Sequence, residues 1–104
     1  MSEEYTPLYP WRPTYPGETG LDGKPLQNFV GLDGDVNIGV IRLEEGGKLN
    51  GQWQWNGQGP HVRQRLLPHQ GYCATAREAA RKVEDYYHRL MRHNGLRGSK
   101  DSGG

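Results

Sequence analysis

The chain has 104 residues, enough for one domain, with a mean hydropathy of −0.95 and a formal net charge of +1. Leu, Ile, Val and Phe number only 18, but ten aromatics and the near-zero charge exclude full disorder, which couples low hydrophobicity to high net charge. The single cysteine, Cys73, excludes an intrachain disulfide, and no apolar run nears the roughly 20 residues of a membrane span.

The expected organisation is a proline-rich arm and loop over 1–26, an α+β domain over 27–96 and a flexible tail over 97–104. The start of the chain is acidic and lacks the apolar stretch of a secretory signal, so a cytoplasmic location is expected. In the arm, Pro7, Pro10, Pro13 and Pro16 recur every third residue, the period of a polyproline II helix. Pro7-Leu8-Tyr9-Pro10-Trp11-Arg12 reads P-x-x-P-x-R, a pattern resembling an SH3-domain ligand. Pro7, Tyr9, Pro10, Trp11 and Arg12 are therefore the candidate protein-binding residues. The competing expectation is an arm laid on its own domain, with Trp11 and the tyrosines as anchors.

Phe29–Leu32 and Val36–Leu43 read as strands joined at Asp33-Gly34, a hairpin signal. Plain alternation in the second strand sends Val36, Ile38 and Val40 one way, and Asn37, Gly39 and Ile41 the other. Gln52–Asn56 alternates again, with Trp53 and Trp55 on one face and Gln52, Gln54 and Asn56 on the other. A fourth strand is expected over His61–Leu67, carrying Arg63 and Arg65. The sixteen glycines read as turn residues. Thr75 and Glu78 form a capping box, and Ala76, Ala79, Ala80, Val83, Tyr86, Tyr87 and Leu90 make the apolar stripe of a helix. Gly95 follows as its stop, with Leu96 placed to pack back. Glu78–Lys82 and Asp85–Arg89 have the i,i+4 spacing of supporting ion pairs. The fold class is thus a small antiparallel meander of three or four strands packed against one C-terminal helix.

No reaction is written in these residues. Asp33, Asp35, Asn37 and Glu44 sit at calcium-loop spacing, but Ile38 occupies the position that needs glycine. His69, Cys73, His88 and His93 match no closed zinc pattern. Cys73 precedes the helix, where a dipole can activate a thiol, but it lacks the local signature of cysteine nucleophiles and reads as a small buried residue. Glycine-rich phosphate loops are absent. The expectation is a non-enzymatic module with no cofactor and no metal, monomeric or weakly dimeric, and off the membrane.

Charge is uneven along the chain. Residues 1–50 carry four Lys/Arg against eight Asp/Glu, giving −4; residues 51–104 carry nine against four, giving +5. The core is short of Leu and Phe, so Trp53 and Trp55 are expected to face the helix stripe. That leaves amides and guanidinium groups outside, donors of the kind that contact phosphates and purine edges. Gln52, Gln54, Arg63, Arg65, Arg77 and Arg81 are the candidate nucleic-acid-binding residues. The segment Gly71-Tyr72-Cys73-Ala74-Thr75-Ala76-Arg77-Glu78-Ala79-Ala80, following a meander, resembles the AP2/integrase-type DNA-binding domain over about a third of the chain. The resemblance implies a polar sheet face in the DNA major groove, with Arg63 and Arg65 at DNA and Gln52 and Gln54 as weaker contacts. Two partner classes stay open: a nucleic acid on the sheet face, or a protein at the arm or sheet edge, the latter fitting an inhibitor module of phage or mobile-element type.

Overall fold

A computed structural model of the chain describes residues 5–20, 23–60, 62 and 65–101. Among the described residues, five strands form an antiparallel meander in chain order: β1 Trp11–Pro13, β2 Asn28–Asp33, β3 Val36–Leu43, β4 Trp53–Gly57 and β5 Gln70–Cys73. The helix α1, Ala76–His93, follows directly and packs on β3, β4 and β5. The α+β class with one C-terminal helix holds, but the sheet has five strands, not three or four.

The two extra features have physical reasons. β1 comes from the proline-rich arm, where Trp11 pairs with Gly31 and Pro13 with Phe29. An edge position tolerates proline because one side of the strand donates nothing. The strand expected over His61–Leu67 is replaced by β5. Residues 61, 63 and 64, and with them Arg63, lie outside the described residues; Val62 and Arg65–Leu67 belong to no strand. Pro68 has no amide to give to a ladder, so pairing with β4 begins beyond it, Gln70 opposite Asn56 and Cys73 opposite Trp53.

The alternation expected for β3 is broken by a bulge. Gly31 pairs with Gly39, but Leu32 pairs with Asn37, so Ile38 is an extra residue. Ile38 and Ile41 both reach the core, at 0% and 4% exposure, although plain alternation separates them. Val40 is thereby turned to the outside, and Arg42 with it.

Several glycines serve packing and not turns. Gly31, Gly39 and Gly57 lie side by side on the helix-facing side of β2, β3 and β4. A methyl group at these positions would run into the Trp11 indole, the Val83 methyls and the Tyr86 ring, respectively. Gly71 does the same for Trp55. The missing side chains let large rings settle onto the sheet. Trp55 packs against Tyr86, and Trp53 stacks at a tilt on Phe29. Both indoles therefore face inward.

In α1 the Thr75 hydroxyl accepts the Glu78 amide at 3.1 Å, half of the expected capping box. The Glu78 carboxylate turns instead to Arg81, which also reaches Asp85. Ion pairing on this face therefore runs through Arg81, not Lys82 or Arg89. Ala79, Ala80, Val83, Tyr86, Tyr87 and Leu90 are buried as the stripe predicts; Ala76 is partly buried at its edge. Fully burying each larger member contributes about 1.5–3 kcal/mol. Gly95, at φ 74°, ends the helix, and the Leu96 amide donates to Met91 at 2.7 Å. The Leu96 side chain is 48% exposed, so only the backbone half of that stop is present.

Residues 97–101 return to the fold. Asp101 is buried and takes Arg92, while its carbonyl accepts from Arg97 at 2.9 Å. Ser99 donates from both its hydroxyl and its amide to Asp33.

Candidate functional site

The sheet has one face under α1 and one that no described helix or strand covers. Strand register fixes what the open face carries. One row runs Arg12, Val30, Val40, Asn56 and Gln70 across all five strands. The next runs Asn28, Arg42, Gln54 and Tyr72. Neighbouring strands lie about 4.8 Å apart, so each row is a continuous line of side chains. Val40, Arg42, Gln54, Asn56 and Gln58 border a shallow depression in the middle.

Arg42 is held in place there. Its Nε donates to Gln54 Oε1 at 2.6 Å, and its terminal nitrogen lies 3.1 Å from Glu44. The side chain is still 52% exposed, so it keeps donor capacity toward solvent. Tyr72, beyond Gln54 in the same row, is 44% exposed. The surface offers amides, guanidinium groups and one phenol, with Val30, Leu32 and Val40 as apolar members.

The residues expected to bind nucleic acid are only partly brought together. Gln54 lies at the centre of the open face, and Gln52 is half-buried just before β4. Arg65 is exposed in the loop between β4 and β5, not on a strand. Arg77 and Arg81 sit on α1, across the sheet from Gln54. Arg77 donates to the Tyr5 carbonyl, and Arg81 is engaged by Glu78 and Asp85. No single flat ligand touches both groups. Sequence reasoning missed Arg42, Gln70 and Tyr72. The bulge at Ile38 hid Arg42, and Gln70 and Tyr72 lie in a strand placed too early in the chain.

The protein-binding candidates divide as well. Tyr9 is buried, its ring set edge-on to Tyr87 and its hydroxyl 2.7 Å from His88 Nε2. Trp11 lies over Gly31 and donates its indole N–H to Glu84 at 3.0 Å. Pro7 is half-buried, whereas Pro10 and Arg12 are exposed. The arm is thus laid on its own domain with its aromatics as anchors.

Other polar groups are committed to structure. Glu84 is the one charged residue in the buried stripe of α1 and is fully buried. It accepts from the Tyr5 hydroxyl, the Leu8 and Tyr9 amides and the Trp11 indole. Burial and the Glu84 carboxylate push the Tyr5 phenol above its usual range, so it stays a donor. Asp33, the first position of the calcium-like spacing, is taken by Tyr87 and Ser99. Burial alone would raise its carboxyl; the donors from Ser99 and Tyr87 outweigh burial and hold it below the usual value. Burial, with Glu78 nearby, raises the Cys73 thiol, the reverse of an activated nucleophile. Among the described residues no three His, Cys, Asp or Glu side chains gather closely enough to hold a metal ion. No described helix is long and apolar enough to cross a membrane.

Compared with protein-family models, curated proteins and solved structures, the chain matches none.

Proposed function

We propose that the chain is a small non-enzymatic module that binds nucleic acid on the open face of its sheet. The supporting observation is the segregation of the two faces. Trp53, Trp55 and the glycine row turn toward α1, while Arg12, Arg42, Gln54, Asn56, Gln70 and Tyr72 line the other side in register. Arg pairs with guanine edges and Gln or Asn with adenine edges, and Arg also neutralises phosphates. The resemblance at Gly71–Ala80 makes duplex DNA the form to try first. Arg77 and Arg81, on the far side, are left out of this surface.

Salt-titrated binding tests the reading. The observed constant should fall with salt, with a slope of about −0.9 per neutralised phosphate. Arg12→Ala with Arg42→Ala should flatten that slope by about 2 and weaken binding, since two contacts are lost. Arg77→Ala with Lys82→Ala should leave it unchanged. No binding at low salt, or equal loss from both pairs, defeats the proposal.

A protein partner is the second reading. Tyr72 and Arg42 are of the types enriched at protein interfaces, and both are exposed in one row of the open face, on either side of Gln54.

A further inference from the structure

The arm is held by the burial of Tyr9 and Trp11, by Arg77 on the Tyr5 carbonyl, and by a set of hydrogen bonds most of which meet at one side chain. Between Tyr5 and Trp11, three hydrogen-bonding residues beside Tyr5 direct donors at the Glu84 carboxylate: Leu8 and Tyr9 through their amides, Trp11 through its indole. A carboxylate accepts only, with about four lone-pair positions on two oxygens, which is what this crowd of donors needs. Sheet pairing does not replace it. β1 has three residues, and the nearest ladder bond before it is Leu32 donating to the Pro10 carbonyl. The second fastening is the Tyr9 hydroxyl, which meets His88 and accepts the Lys100 amide at 3.1 Å.

The fastened segment is also the one with the P-x-x-P-x-R spacing. In the closed state Pro7 is half-buried and Tyr9 buried, so of the motif's Pro and Arg positions a groove meets only Pro10 and Arg12 in the open. Freed, the same residues have the three-residue period that a polyproline II helix presents along one edge. We infer that Glu84 is a releasable latch on residues 5–11, and that the open arm is the ligand of a partner with an aromatic, polyproline-reading groove and an acidic rim for Arg12. The latch masks the motif while closed. This does not rest on the sheet-face reading, with which it shares only Arg12.

Native-state hydrogen exchange on the full chain tests the latch. The Leu8 and Tyr9 amides should exchange together, at least 100-fold faster than those of Val83–Leu90, through a local opening. The Lys100 amide should follow them, because its acceptor is Tyr9; the Ser99 amide, held by Asp33, should not. Exchange of Leu8 and Tyr9 only with global unfolding overturns the latch. Tyr5→Phe removes one donor and should speed their opening several-fold while leaving the helix core unchanged. Glu84→Gln keeps the shape but points an NH₂ at a ring of donors, and should strip protection from the arm. An isolated SH3 domain selecting P-x-x-P-x-R serves as the probe of the masked motif. Its affinity should rise at least tenfold in Glu84→Gln over wild type, and fall back when Pro7→Ala and Pro10→Ala are added. If Glu84→Gln fails to fold, Tyr5→Phe carries the same comparison, with a rise that scales with its faster opening. Probe affinity that does not follow arm opening overturns the masking.

Discussion

At Gly57 a hydrogen in place of a methyl group lets the Tyr86 ring lie on β4. Gly57→Ala should destabilise the fold by about 1–3 kcal/mol, the usual cost of overpacking, seen as a lower urea midpoint at unchanged slope. Gly34 differs: nothing lies within 4 Å, and its φ of 61° is the issue, so Gly34→Ala should cost about 1–2 kcal/mol through backbone conformation. Asp33 carries a pH signature. Its folded-state carboxyl titrates below the usual value, so its contribution is complete above the unfolded value of about 3.9. It fades as pH falls from there through the folded value. Asp33→Asn should therefore flatten the loss of stability below about pH 4 in urea titrations. Glu44 partly neutralises Arg42 at 3.1 Å. On the nucleic-acid reading, Glu44→Gln should tighten binding, by roughly fivefold or less at low salt, the span of exposed pairs of up to about 1 kcal/mol.

Among the elements, α1 was the most legible in the sequence, because capping residue, stripe and stop agree with one another. Thr75→Ala should cost about 1 kcal/mol by freeing the Glu78 amide, measured by thermal or urea unfolding. Glu84 escaped the sequence reading because a Glu in a helix is ordinarily a solvated residue. Only donors from an arm more than 70 positions away satisfy it. The strands were legible in kind but not in number. β1 is a strand through Trp11 settling over Gly31, a long-range contact that proline spacing does not reveal. The Ile38 bulge inserts one residue, and a single insertion reverses the face of everything after it. β3 therefore looked correctly placed while its exposed residues were misassigned.

Over the whole molecule, both ends of the described chain converge on α1: the arm through Glu84 and Tyr9, the C-terminal segment through Arg92 and Asp101. That leaves the opposite side of the sheet uncovered. Of the candidate site, the inward turn of Trp53 and Trp55 was readable, since a chain poor in Leu and Phe has little else to bury. The separation of Gln54 from the helix arginines was not, because sequence shows that both are polar without showing that a sheet stands between them. Arg42 became visible only through strand register. Amide chemical-shift mapping during titration with duplex DNA at low salt tests the open-face proposal most directly. Shifts should concentrate at Val40, Arg42, Gln54, Asn56, Gln70 and Tyr72, with the outer side of α1 unmoved. Shifts confined to α1 or to the arm, or none at all, would contradict it.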